Sequence, residues 1–436
     1  MNRSHFKMSL RWAESPSDDE LDLADVSIGC GDAVFTRIID TDTQSARDYF
    51  STSGLTMGFW FARNFWRLRW ESLANPNFRP INWRLCHEIS SICGGILWPP
   101  IMIYSSGERV VFAPIGKEQV PGPQLYIEPV VTSIAGDEYE TQLLNMLNAI
   151  GRHCAKLPGG DVFNRLMLEL TRERSDPDIS AWRRLEARLG YDPDRAPDDV
   201  MAGLIDFDEV VGNGGVEEAA AAVPGADSVP SLSQAVLAAR HSAVEIGLDA
   251  VANIHLAQGA VLRRTPWQLA ETIADAVRDA ADVRRRPVLN KKLAEILGTS
   301  IENISARETQ GAELRYAATL RRSNSRLGVA AMTHPGKNRR YELARTLGDA
   351  IWTNREGFGI VSQAKTDRQK FQRAFARSLL CPFEELRNIV DENNPTEEQI
   401  KTASRHFHVH ENAVKSVLVY KGVLPSMSFE DRLEAA

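Results

Sequence analysis

Several features that define other classes of protein are absent from this sequence of 436 residues. It has no run of about eighteen apolar residues, so it predicts no transmembrane helix. Residues 1–6 lack the apolar core of a secretion signal. The formal net charge of −7 gives no overall attraction to nucleic acid or to an anionic membrane. We therefore expect a globular protein with no membrane partner.

Cysteine is scarce, and its spacing is not that of a zinc or redox motif. The five cysteines form no C-x-x-C pair and match no other zinc-binding pattern. Free, buried thiols are typical of proteins that fold in a reducing cytoplasm. The cysteines therefore predict buried thiols and a cytoplasmic location.

What the sequence does contain is the frame of a zinc-peptidase helix without its zinc chemistry. In H-E-x-x-H, two histidines four residues apart bind the metal, and the glutamate is the general base. The corresponding positions here hold Arg345, Thr346 and Asp349. Arginine has no lone pair to give a metal, threonine is not basic near neutral pH, and a single aspartate is not a site. We therefore expect no catalytic residue, no metal and no cofactor in this helix.

The residues around this helix resemble those of the ImmA/IrrE family of bacterial metallopeptidase-like proteins. The segment R-R-Y-E-L-A-x-x-L-G at residues 339–348 is similar to the start of the family's peptidase helix. The segment F-A-R-S-L-L-C-P at residues 375–382 resembles its F-A-x-x-L-L-x-P segment. The family has an acidic zinc ligand four residues before that phenylalanine, where this chain has Phe371. The resemblance implies the family's zincin-like fold with a degenerate metal site.

An aromatic-rich segment in the N-terminal half supports two interpretations. Residues 57–73 carry Phe59, Trp66 and Trp70 at helical spacing, interleaved with arginines. Such a helix could stack bases and hold phosphates. Aromatic side chains also dominate core packing, and we favour a core helix. The pattern W-x-A-x-N-x-W-x-L-x-W-E at residues 60–71 resembles the N-terminal domain of long ImmA/IrrE-like proteins, a resemblance that implies no activity.

A further H-E pair occurs in the same half, at His87 and Glu88. The fifth position is Ser91, so H-E-x-x-H fails here too, and the pair predicts a core or capping role. His87, Glu88 and Asn64 are nevertheless polar residues set among bulky apolar neighbours. They are the candidates for any site in this half of the chain.

A segment reading H-F-H-V-H near the C-terminal end joins two predicted helices. Val409 would point inward and the histidines toward solvent, and ImmA/IrrE proteins have a similar helix-turn-helix at this end. From the second helix, Asn412, Lys415 and Lys421 are the side chains that could reach DNA bases. We predict that these helices pack as a helical subdomain, and DNA contact stays an open alternative.

Basic residues concentrate at the start of the degenerate helix. Lys337, Arg339 and Arg340 lie there, and Arg345 would bring its charge to a cleft that holds a cation in an active peptidase. We predict that these four residues form a positive cleft for an anion: phosphate, nucleic acid or an acidic protein tail. The alternative is a solvated face whose charges pair with the chain's many acids.

Together these features predict an α+β protein with two domains. The boundaries are a flexible start at residues 1–20, an N-terminal α+β domain with a helical extension at 21–210, a linker at 211–232, and a mostly helical zincin-like domain at 233–425. The second domain would contain a small antiparallel sheet and the helix-turn-helix-like end. Within the linker, residues 216–223 could also continue as helix.

The resemblance implies a role near bacterial gene regulation, stress response, or phage and mobile-element conflict, beside a protein partner. We predict a non-catalytic sensor, adaptor or regulator. One alternative is a metal-dependent peptidase with atypical ligands such as Asp349, Asp367 and His334. The other is a nucleic-acid-binding protein that uses the basic face of the C-terminal domain.

Overall fold

The computed structural model describes residues 6–14, 21–73, 79–92, 96–116, 122–127, 129–211, 215–222, 228–242, 244–257, 259–284, 286–305, 317–323, 325–330, 337–354 and 358–425. The backbone divides into two compact units, Met1–Ala196 and Pro197–Ala435. Both units combine helices with antiparallel sheets, in agreement with the predicted α+β class. The helix Asp198–Val211 groups with the second unit, whereas the sequence assigned it to the first.

Three antiparallel sheets make up the β structure described in the first unit. The strands are β1 (Phe6–Trp12), β2 (Leu23–Cys30), β3 (Ala33–Val34), β4 (Ile38–Asp40), β5 (Ser45–Arg47), β6 (Phe50–Ser53), β7 (Ile101–Ser105), β8 (Arg109–Pro114), β9 (Gln124–Tyr126) and β10 (Thr132–Ala135). Strand β2 pairs with β1, β3 and β6, strand β8 lies between β10 and β7, and β4 lies between β5 and β9. Every second residue of β2 is buried, so one face of that sheet covers the core.

The start of the chain corrects one prediction. Strand β1 pairs with β2 along its whole length, from Phe6 opposite Cys30 to Trp12 opposite Ala24. Phe6 and Met8 are buried in the core of the first unit. A flexible start is therefore wrong for residues 6–12, because apolar side chains at alternate positions give this strand a core face. Residues 1–5 and 15–20 lie outside the described part of the chain.

The helices described in the first unit confirm the core interpretation of the aromatic segment. They are α1 (Gly54–Arg63), α2 (Phe65–Trp70), α3 (Ile81–His87), α4 (Gly136–His153), α5 (Gly160–Ser175) and α6 (Pro177–Arg188). The segment forms two helices that meet at Asn64, whose backbone N–H and side-chain amide both donate to Trp60 O. Phe61, Phe65 and Trp66 are buried.

The second unit is mostly helical. Its described helices are α7 (Asp198–Val211), α8 (Gly215–Ala222), α9 (Ser228–His241), α10 (Ala260–Arg263), α11 (Pro266–Ala280), α12 (Asn290–Ile296), α13 (Ile301–Ser305), α14 (Lys337–Trp352), α15 (Asp367–Leu380), α16 (Phe383–Leu386), α17 (Glu397–Phe407) and α18 (Glu411–Tyr420). Its described strands are β11 (Glu245–Gly247), β12 (Ala317–Ser323), β13 (Arg326–Ala330) and β14 (Phe358–Val361), in the antiparallel order β11-β13-β12-β14. Helices α8 and α9 occupy much of the predicted linker, so the helical alternative is the one observed there.

Helices α14 and α15 pack closely in the core of the second unit. A side chain on Gly348 would place its first carbon 2.8 Å from the ring of Phe375, so glycine is what permits this approach. Thr366 begins α15 with a side-chain cap that accepts a hydrogen bond from Gln369 N. Helix α14 contains Arg345, Thr346 and Asp349, and the sequence predicted a helix there.

Candidate functional site

A buried polar network lies between α14 and α15, at the degenerate motif. Arg368 donates from Nε to Asp349 Oδ1 at 2.6 Å and from Nη2 to Asp349 Oδ2 at 2.8 Å. Gln372 Nε2 also donates to Asp349 Oδ1, at 2.6 Å. Burial opposes the charge of Arg368, but Asp349 raises the pKa of this guanidinium above its ordinary value. Both oxygens of the one ligand-capable side chain in the motif are therefore engaged inside the protein.

Arg345 lies one turn before Asp349 on the same face of α14. Its Nη2 donates to the side-chain oxygens of Gln369 and Gln372, at 2.9 and 3.3 Å. The amide of Gln372 thus links Arg345 to Asp349. The amide of Gln369 links Arg345 to Glu218 in α8, because Gln369 Nε2 donates to Glu218 Oε1 at 2.9 Å. The Asp349 network consists of Glu218, Arg345, Asp349, Arg368, Gln369 and Gln372.

Thr346 and Phe371, the other two residues that the sequence set against zinc-site positions, lie outside the Asp349 network. Thr346 donates its hydroxyl to Leu343 O in its own helix, at 2.8 Å. Phe371 is fully buried, and its ring lies against Trp352 and Phe375 with centroid separations of 5.1 and 6.1 Å. The face of α15 that carries Phe371 therefore points into the hydrophobic core.

The atypical ligand set of Asp349, Asp367 and His334 falls only partly within the described residues, because His334 lies outside them. Across the part of the chain that the structure describes, no group of three or more His, Cys, Asp or Glu side chains is placed to hold a metal ion. A metal at Asp349 would have to displace the guanidinium of Arg368.

Sequence reasoning missed the partners of Asp349. Arg368, Gln369 and Gln372 all lie in the first two turns of α15. The spacing of Arg368 and Gln372 was a signal in the sequence, since polar residues at i and i+4 lie on one face of a helix. Glu218 carried no such signal, because it lies 151 residues before its partner Gln369.

The arginines predicted to form a positive cleft are buried. Arg340 is 3% exposed, and its guanidinium donates to two main-chain carbonyls and to the side chain of Asn290. Burial lowers the pKa of Arg340 to about 10. Arg339 is 2% exposed, and Arg345 belongs to the Asp349 network. These three arginines therefore form no exposed cleft, and of the four predicted residues Lys337 alone is partly exposed.

His87 belongs to a second buried network, in the first unit. Its Nε2 lies 2.8 Å from Glu71 Oε2, and its Nδ1 lies 2.6 Å from Ile103 O. Arg67 Nε donates to the same Glu71 oxygen at 2.6 Å. Burial alone would raise the pKa of Glu71, but His87 and Arg67 lower this pKa below its ordinary value. Arg67, Glu71 and His87 are termed the Glu71 network.

The other N-terminal candidates do not join the Glu71 network. Glu88 pairs with Arg79 and Arg84, at 3.1 and 3.2 Å. Asn64 donates to the backbone of its own helix. The structure therefore does not gather Asn64, His87 and Glu88 into one site, and each has a local structural role.

Helices α17 and α18 are joined by the short turn that the sequence predicted. Val409 is 2% exposed, whereas the three histidines around it are exposed, which confirms this part of the prediction. Lys415 pairs with Glu397 at 2.9 Å and Lys421 with Glu271 at 2.7 Å. Two of the three side chains considered for base contacts are thus engaged by acids.

No protein-family model, curated protein or solved structure matches this chain. Among the described helices, none is long and apolar enough to cross a membrane. The geometry of the two networks and of the surface around them is therefore the basis on which a function can be proposed.

Proposed function

We propose that this chain is a non-catalytic relative of the bacterial ImmA/IrrE peptidase-like proteins and acts as a sensor, adaptor or regulator. The observation that carries the proposal is the bidentate ion pair of Asp349 with Arg368. It occupies the one side chain of the degenerate motif that could bind zinc. The sequence resemblance alone supports the proposed setting. This setting is gene regulation, stress response or phage and mobile-element conflict, beside a protein partner.

The chemistry of the Asp349 network supports binding rather than catalysis. A zinc peptidase needs a metal-activated water and a general base. The positive charge in the Asp349 network is supplied by the guanidinium groups of Arg345 and Arg368. Thr346, which the resemblance sets in the position of the base, donates a hydrogen bond to Leu343 O in its own helix. Arg345, Asp349 and Arg368 are all buried, so a substrate has no open approach to them.

Metal content of the purified full chain tests the proposal. We expect far less than one zinc per chain, with no difference between wild type and Asp349→Asn. The matched control is Asp391→Asn, which changes an exposed carboxylate of the same unit. One zinc per chain that is lost in Asp349→Asn and kept in Asp391→Asn would instead support a metal-dependent peptidase with atypical ligands.

A further inference from the structure

A groove of about 560 Å³ lies on the second unit, between the start of α14, helix α15 and the turn before α18. Its described lining contains five basic side chains and no carboxylate. The basic side chains are Lys337, Arg377 and His410, which are partly or fully exposed, and Lys365 and Arg373, which are buried in the wall. In a chain whose net charge is −7, this is a local reversal of sign. The set is termed the basic groove.

Two cations of the basic groove are held in place by the fold. Lys337 Nζ donates to Ser404 Oγ at 2.9 Å, and Arg373 Nη1 donates to Ala364 O at 3.0 Å. Tyr341 forms part of the wall, where its hydroxyl donates to the main-chain oxygen of Arg373 at 3.0 Å. Of these two cations Lys337 is partly exposed, so a ligand would meet a charge that is already ordered, which reduces the entropy lost on binding.

The turn before α18 carries a group that senses the positive charge around it. His408 lies in this turn, and its pKa is lowered below the ordinary histidine value by partial burial and by the charges of Arg340 and Lys337. An anion bound in the basic groove would offset part of that charge. The pKa of His408 would then rise, so His408 reports whether the groove is occupied.

We infer that the basic groove binds a small phosphate-bearing ligand with several negative charges. Its volume is in the range of small-molecule sites, about 300–1,000 Å³. Phosphate groups offer many acceptor oxygens to cations that converge from several elements. Duplex DNA fits less well, because Lys415 and Lys421 on α18 are paired with acids. The inference rests on the proposed function, since it names the class of signal to which a non-catalytic regulator would respond.

Isothermal titration calorimetry of the full chain with sodium tripolyphosphate, adenosine triphosphate and citrate tests the inference. We expect both phosphate compounds to bind and citrate to bind at least about tenfold more weakly. Tighter binding of the nucleotide than of tripolyphosphate would identify a nucleotide as the source of the phosphates, and the reverse order would identify free polyphosphate. Either order supports a phosphate site.

The variants Lys337→Gln and Arg377→Gln should each weaken tripolyphosphate binding by about tenfold, because each removes one charged hydrogen-bond donor. The matched control is Arg405→Gln, which removes the same charge from α17 at an exposed side chain paired with Glu398. This control should leave the affinity within about twofold of wild type. Circular dichroism of each variant shows whether it is folded, and the two groove variants are independent of each other.

A second measurement follows the pKa of His408. In NMR titrations at constant ionic strength, saturating tripolyphosphate should raise the pKa of His408 in wild type and in Arg405→Gln, and raise it less in Lys337→Gln. Absence of binding at millimolar concentration, or equal binding in all three variants, would overturn the inference. So would a duplex DNA fragment that binds more tightly than tripolyphosphate and loses affinity in the groove variants. None of these outcomes changes the zinc content, so the proposed function fails or stands separately.

Discussion

Each of the two units buries a carboxylate beside an arginine, and the two networks differ in the partner that completes them. Asp349 is held by Arg368 and by an amide, groups that keep their protonation state across the ordinary pH range. Glu71 is held by Arg67 and by His87, which together lower its pKa below the ordinary value. The Glu71 network can therefore be tested by acid as well as by substitution, whereas the Asp349 network is tested by removing its charges.

The largest loss of folding stability is expected when Asp349 is replaced. In Asp349→Ala the guanidinium of Arg368 stays buried without its carboxylate, which we expect to lower the free energy of unfolding by about 3–5 kcal/mol. Urea unfolding at pH 7, followed by circular dichroism, measures the loss. The matched control is Glu398→Ala, which breaks an exposed pair with Arg405 and should cost less than about 1 kcal/mol.

Removal of both charges sharpens the same test. The double variant Asp349→Leu with Arg368→Met leaves no unpaired charge in the core, so it should recover most of the stability that Asp349→Ala loses. If Asp349→Ala alone costs less than about 1 kcal/mol, the ion pair does not hold the two helices together as described.

The second largest effect on stability is expected in the Glu71 network, and it depends on pH. Glu71→Gln keeps the size of the side chain but weakens its bonds to Arg67 and His87, so we expect a loss of about 2–3 kcal/mol at pH 7. Because the pKa of Glu71 is lowered in the folded protein, its ionised form contributes stability that is fully present above about pH 4.5. That contribution is lost as the pH falls through the folded-state pKa.

Urea midpoints measured from about pH 3 to pH 7 reveal this dependence. Wild type should lose more stability on acidification than Glu71→Gln does. Glu169→Gln, an exposed substitution in the same unit, should keep the wild-type slope. Parallel curves for Glu71→Gln and wild type would remove Glu71 as a source of acid sensitivity.

The two networks also differ in how far the sequence could predict them. Arg67 and Glu71 are four residues apart on or beside one helix, so helical spacing alone places them together. The motif frame likewise predicted that α14 is a helix that brings Arg345 and Asp349 to one face. The placement of Glu218 depends on tertiary packing between α8 and α15, and no local pattern encodes it.

The wrong prediction of an exposed basic cleft has a similar cause. Sequence position next to a motif indicated where Arg339 and Arg340 occur, but not which way their side chains point. The N–H groups of Arg340, for example, donate to Asn290 and to the carbonyl of His408, which are distant in sequence. Charge composition predicts a positive region, whereas the direction of each long side chain is decided by the packing around it.

A smaller effect is expected where the two helices of the Asp349 network approach each other. Gly348→Ala would place a carbon 2.8 Å from the ring of Phe375, so we expect a loss of about 1–3 kcal/mol. The sign of the change in stability is informative, because glycine-to-alanine changes inside an exposed helix stabilise it by about 1 kcal/mol. A more stable Gly348→Ala variant in urea unfolding would show that α14 and α15 are not in close contact here.

The smallest effect is expected at Thr346, which follows Arg345 on α14 but lies outside the Asp349 network. Thr346→Val keeps the shape of the side chain and removes one hydrogen bond to Leu343 O, so we expect a loss of about 1 kcal/mol or less. Combined with Asp349→Ala in a double-mutant cycle, the two losses should add within about 0.5 kcal/mol. A coupling above about 1 kcal/mol would place Thr346 inside the network.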